Sequence, residues 1–323
     1  MITFSRHYFA NIGFACALFL PLGLANAQPA PAQAQSNSAR VTGSRANRSW
    51  SNDPRVQSRT YLLEETGEQI PYAVFVSSKV SKDKKSPLVV ALRGYNGNPG
   101  VFMHGAALTQ AEEGGYILVG PMGYNSIGGY GMTMPSGRMG GPGRSGATNA
   151  AAPTGPSNQA ATRGPLSGRA SQTPVGGTAE TNVARMSELS EKDVLTVLEI
   201  VRKEFNVDER RTYLMGHSQG GGGALRIAEK YPTNWAGVAL LAPGVFGFQA
   251  TEQSNVKNIP LYVTVGANDS LIASVRRLDE QLISVHVAHE YKEAPGLDHG
   301  GIIMGSMPDV FKFFSQHVKP ESK

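Results

Sequence analysis

Short apolar runs alternate with stretches of helical period over most of the chain, and this alternation limits the fold more than any other feature. Residues 88–92, 116–119, 212–215, 236–241 and 261–265 are apolar runs of strand length. Residues 188–205 carry Leu189, Val194, Val197, Leu198 and Val201 at helical spacing. Further helices are expected at 219–231, 271–283 and 307–317, with one more strand at 284–291. Ahead of them, 61–63 and 72–76 read as two strands joined by a turn around Gly67. The later strands are apolar throughout, which suits burial on both faces. The pattern predicts an α/β fold: a mostly parallel central sheet flanked by helices. Right-handed crossovers then gather the loops at the strands' C-terminal ends on one side, where sites in such sheets lie.

Two segments do not share this texture. Residues 28–57 are rich in Ala, Gln, Pro, Ser and Asn, and are expected to form a disordered leader. Residues 126–182 are dominated by Gly, Pro, Ala, Ser and Thr, and read as an insertion in a body spanning 58–323. Around its start, residues 124–139 are the part expected to fold over something. The formal net charge of +5 belongs to these segments. Residues 28–59 hold five Arg and one Asp, 126–182 hold four Arg and one Glu, and the remaining body is slightly acidic. That distribution argues against a folded nucleic-acid-binding face.

The first 27 residues read as a secretory signal peptide. Arg6 precedes an apolar run from Ile12 to Leu20, Pro21 breaks it, and Ala25-Asn-Ala27 has the form of a cleavage site. The run is too short for a comfortable membrane span, so no stable span is expected after cleavage. Export to the periplasm or medium follows. Cys16, the only cysteine, would leave with the signal peptide. The mature chain would then have no disulfide, no thiol nucleophile and no cysteine metal site. No metal-binding motif appears, and no cofactor is expected.

Gly216-His-Ser-Gln-Gly220 follows the strand at 212–215 and precedes a helix. A serine between small residues on a sharp strand-to-helix turn is the arrangement that exposes a nucleophile. Serine needs a base to take its proton. His299 lies between the last predicted strand and the last helix, where it can reach the sheet's C-terminal edge. His104, His217, His286, His289 and His317 compete less well; His217 would have to fold back on its own turn. Asp269 directly follows the strand at 261–265 and suits the residue that orients the imidazole, whereas Asp298 is too close to His299 in sequence. The oxyanion is expected to meet the backbone N–H of Gln219 and, from the loop at 93–100, that of Tyr95.

At Leu92-Arg-Gly-Tyr, Gly-His-Ser-Gln-Gly, Gly-Ala-Asn-Asp269 and Asp-His-Gly-Gly301 the chain resembles the α/β-hydrolase superfamily. Within it, the chain is similar to secreted esterases of the poly(3-hydroxybutyrate) depolymerase and feruloyl esterase kind. The resemblance implies cleavage of a small-molecule or polymeric carboxylic ester through an acyl-enzyme, without a cofactor. A prolyl oligopeptidase-like peptidase and a non-catalytic binding protein on the same scaffold remain open. Relatives usually carry His-Gly where this chain has Arg93-Gly94, which leaves any structural job of that histidine unfilled.

Overall fold

The computed structural model describes residues 49–132 and 179–321. The signal-peptide reading, most of the leader and the middle of the insertion lie outside the described residues. In chain order the elements are β1 (Val56–Leu63), β2 (Glu68–Val76), β3 (Ser86–Leu92), α1 (Gly105–Gly114), β4 (Ile117–Pro121), α2 (Ala179–Glu204), β5 (Val207–His217), α3 (Gln219–Lys230), β6 (Gly237–Leu241), β7 (Leu261–Gly266), α4 (Ile272–Ser284), β8 (His289–Ala294), α5 (Gly301–Gly305) and α6 (Met307–Gln316).

The eight strands form one sheet in the order β1-β2-β4-β3-β5-β6-β7-β8. β1 and β2 pair antiparallel, as do β2 and β4; every other pairing is parallel. The strand period of two sends alternate residues to opposite layers. Val90, Leu214, Leu240 and Val263 face a core closed by α2, α3 and α4, through side chains such as Val197, Leu225 and Leu278. Val89, Met215, Ala239 and Leu241 face a second core closed by α1 and α6, where Phe311, Phe313 and Phe314 are buried. This is the expected sheet with helices on both faces.

The site is positioned by the order of strands. After β3 the chain pairs β4 on one side, and β5 then takes the other side of β3. The loops leaving β3 and β5 are therefore neighbours at a switch point, with Leu92 paired to Gly216.

The structure differs from the sequence reading in several places. The folded body starts before residue 58: Trp50 packs against the α1–α6 core, and β1 begins at Val56. The last strand is His289–Ala294 and not 284–291, because Ser284 closes α4 and His286 sits in a turn at φ 57°. Alternating Ile283, Val285 and Val287 imitate a strand, yet only Val287 is buried, and it lies in that turn. The true strand is a sheet edge with half-exposed, charged residues, so its apolar signal is weak. Helices α1 and α5 were not expected; α1 buries only Ala107, Leu108 and Ala111, too little apolar contrast to read. Finally, the insertion begins later than 126. Tyr130 is fully buried, its N–H donates to Ser190 Oγ at 3.0 Å, and Ser187 Oγ donates to Met132 O at 2.7 Å. Residues 126–132 thus pack against α2 as part of the body. Among the described residues, no helix is long and apolar enough to cross a membrane.

Candidate active site

Ser218 stands between β5 and α3 at φ 56° and ψ −118°, a conformation that costs a non-glycine residue roughly 1–3 kcal/mol. The surrounding sheet enforces it. Ser218 N–H donates to Leu241 O at 2.9 Å, and its carbonyl accepts from Gly244 N at 2.8 Å and Gly222 N at 3.1 Å. The two motif glycines are there for space: a Cβ at Gly216 would overlap the Gly220 carbonyl, and one at Gly220 would overlap the Leu92 carbonyl. The turn is closed tightly enough that only hydrogen fits at either position.

The residues expected from the sequence meet here. Ser218 Oγ–H donates to His299 Nε2 at 2.9 Å. His299 Nδ1–H donates to Asp269 Oδ2 at 2.8 Å. The Asp269 side chain is fully buried, and its Oδ1 accepts the Leu271 N–H at 2.8 Å. His299 is carried on a loop held over the end of β7 by Asn268 N–H donating to Leu297 O at 3.0 Å. Asp298 accepts from Gly301 N–H at 2.7 Å and so fastens the start of α5 instead of the imidazole. Gly94 passes against the serine, its ideal Cβ position being 3.3 Å from Ser218 Cβ. The backbone N–H groups of Tyr95 and Gln219 have no acceptor among the described residues. A serine joined to an imidazole and a buried carboxylate, with unused amides close by, can transfer an acyl group.

Two of the other histidines are engaged elsewhere. His289 bonds Asp279 Oδ1 and Val287 O, tying α4 to β8, and His317 bonds Phe313 O. His217 does bend toward the site, although not as a base. Its Nε2–H donates to the His299 carbonyl at 2.7 Å, and the two rings lie 4.6 Å apart. Sequence reasoning placed His217 only as a rival base; its adjacency to Ser218 was the sole signal of a supporting role. Among the described residues, no group of three or more His, Cys, Asp or Glu side chains is gathered to hold a metal ion.

Burial, reinforced by the neighbouring His299, pushes the His217 imidazole down to about 4. A histidine kept neutral by folding stabilises the protein fully above its unfolded value of 6.5, and this is lost as pH falls toward 4. Asp193 does the reverse in the same window. Burial pushes its carboxyl up to about 6, against hydrogen bonds from Tyr61, Tyr124 and Gly123 and the charge of Arg93. Its penalty therefore fades as pH falls from 6 toward 3.8. The two effects offset each other in the wild type. His217→Gln, whose amide can still reach the His299 carbonyl, removes one of them. Urea unfolding at pH 7 and pH 4.5 should show the variant gaining about 2 kcal/mol on the wild type over that interval. A difference that does not change with pH would mean that His217 is not held neutral.

Residues 176–251, which include Ser218 but neither Asp269 nor His299, match the family described as serine aminopeptidase, S33. No curated protein matched the chain. Solved structures with similar folds include a thermostable esterase, 20% identical at a TM-score of 0.54, covering 82% of this chain. This chain spans 64% of that esterase's length. An S-formylglutathione hydrolase from Agrobacterium tumefaciens is 16% identical at a TM-score of 0.56, over 82% of this chain and 95% of its own. A ferulic acid esterase from Anaeromyces mucronatus is 16% identical at a TM-score of 0.53, over 80% and 90%. The mostly parallel sheet, the serine turn after β5 and these likenesses agree: the chain has the α/β-hydrolase fold.

Proposed function

We propose that this chain is a serine hydrolase that cleaves carboxylic esters through an acyl-enzyme. The observation that carries the reading is the unbroken hydrogen-bonded series from Ser218 through His299 to buried Asp269, beside two amides without acceptors. Ser218 Oγ attacks the acyl carbon while His299 Nε2 takes its proton, and the carbonyl oxygen becomes an oxyanion held by the Tyr95 and Gln219 amides. His299 then hands the proton to the departing alcohol. Water repeats the sequence on the acyl-enzyme, releasing the acid and restoring the serine. Asp269 stabilises the imidazolium that forms at each step. The esterases among the similar folds support an ester substrate, and the N-terminal apolar run supports export.

A peptidase is the second reading, favoured by the aminopeptidase family that 176–251 match. Fluorophosphonate labelling, followed by p-nitrophenyl butyrate and a Pro-linked p-nitroanilide as substrates, separates the readings. Labelling with ester turnover at least about a hundredfold above amide turnover supports the esterase. A preference for the amide supports the peptidase. A folded protein that neither labels nor turns over either substrate sinks both and favours a binding protein.

A further inference from the structure

Among the described residues, Arg93 is the largest charged side chain that is buried completely. All five N–H groups of its guanidinium have acceptors. Nε donates to Met122 O at 2.8 Å. Nη1 donates to Gly94 O at 2.9 Å and to Gln219 Oε1 at 3.2 Å. Nη2 donates to Gly128 O at 3.3 Å and to Asn125 O. The Tyr130 ring lies beneath, 5.2 Å from ring centroid to guanidinium carbon. None of the five acceptors is a carboxylate, so the positive charge is not cancelled at contact. Solvating a buried cation with neutral oxygens costs much more than fastening a loop with neutral groups. The arrangement therefore calls for something that uses the charge or the fork.

Two of the acceptors adjoin the amides assigned to the oxyanion: the Gly94 carbonyl shares a peptide with the Tyr95 N–H, and the other is the Gln219 side chain. In a trans peptide the C=O and the following N–H point in opposite directions. Holding the Gly94 carbonyl inward therefore aims the Tyr95 N–H outward, on the backbone that passes against Ser218. The same nitrogen, Nη1, holds the side chain of Gln219, whose own amide is the other donor. We propose that Arg93 is the positioning residue of the oxyanion site. Its fork fixes the Gly94–Tyr95 peptide and Gln219 in one rigid frame, and its charge lies behind both donors, polarising them toward a developing anion. The other three acceptors anchor that frame to residues 122–128, helped by Asn96 N–H donating to Ser126 O at 2.8 Å. This inference rests on the ester-hydrolase reading.

The test compares an oxoester with the matching thionoester, in which the carbonyl oxygen is sulfur. Sulfur is a poor acceptor and sits farther from carbon, so a well-formed oxyanion site favours the oxoester strongly. Arg93→Lys keeps a charge and loses the planar fork. It should lower kcat on the oxoester about thirtyfold with KM within about twofold, and lower the oxo-to-thiono preference at least about fivefold. A merely structural arginine would lower both substrates alike. Gln219→Met leaves Arg93 and its other four bonds in place. It should move the preference in the same direction by a smaller factor, and it decides the matter if Arg93→Lys does not fold. A folded Arg93→Lys with wild-type kcat, or either folded variant with reduced activity and an unchanged preference, overturns the proposal. If the wild type neither labels with fluorophosphonate nor turns over the oxoester, the ester-hydrolase reading has failed first and takes this role for Arg93 with it. Wild-type turnover with indifferent variants removes Arg93 alone.

Discussion

Ser218→Ala should remain folded and lose ester turnover by about a millionfold in kcat, with fluorophosphonate labelling abolished. The size follows from how the residues cooperate. Removing the nucleophile leaves His299 with nothing to deprotonate, so the base and Asp269 become idle together. What survives is the oxyanion amides and the binding surface, which on their own are worth roughly a thousandfold or more over water. The fold should hardly notice. The Ser218 side chain caps no helix N–H, and alanine has the same difficulty at φ 56° that serine has, so the strain of the turn is unchanged. Stability should therefore move by less than about 1 kcal/mol. Burst kinetics on a p-nitrophenyl ester, denaturant unfolding and labelling on the same preparations make the check. A folded Ser218→Ala protein that still labels, or still shows a burst, places the nucleophile elsewhere.

Much of this site could be read before any coordinates, because its members obey local rules. Ser218 sits between glycines after an apolar strand. Asp269 follows β7, and His299 falls in the last loop before the closing helices. Each was placed by its position relative to an element, and the sheet's topology then brought the three together. The supporting residues follow no such rule. Arg93 read as a departure from pattern, since its acceptors lie as far as Gln219 along the chain and four of them are backbone oxygens without a signature. Asp193 lies in α2 with nothing in the nearby sequence to mark it, yet Tyr61, 132 residues earlier, donates to it at 2.6 Å. Tyr130 seemed part of a low-complexity insertion, and it is buried where a Cβ on Gly223 would press into its side chain. Elements were misjudged for a related reason. Edge strand β8 and small-residue helix α1 bury too little for hydrophobic period to reveal them. Local chemistry was visible, and packing between distant segments was not.

Asp269→Asn gives the second large effect, and the backbone around it sets the direction. The carboxylate accepts two hydrogen bonds, from His299 Nδ1–H at 2.8 Å and from the Leu271 N–H at 2.8 Å. An asparagine offers one oxygen and one NH2 in their place. Leu271 N–H is a fixed backbone donor just before α4, so it cannot turn into an acceptor. The amide oxygen must serve it, which aims the NH2 group at His299 Nδ1. That nitrogen then has to accept, and the imidazole proton moves to Nε2. An Nε2–H cannot take the proton of Ser218, so the base is present in the wrong tautomer. The expected fall in kcat is about ten-thousandfold at neutral pH, with KM little changed and a near-native unfolding curve. The opposite amide orientation would face NH2 against the Leu271 N–H, a buried donor–donor contact costing about 1–3 kcal/mol. Nitrogen-15 chemical shifts of the His299 ring distinguish the tautomers directly. An Asp269→Asn protein with wild-type kcat, or a ring still protonated at Nδ1 in an inactive variant, would mean that Asp269 does not act by setting the tautomer of His299.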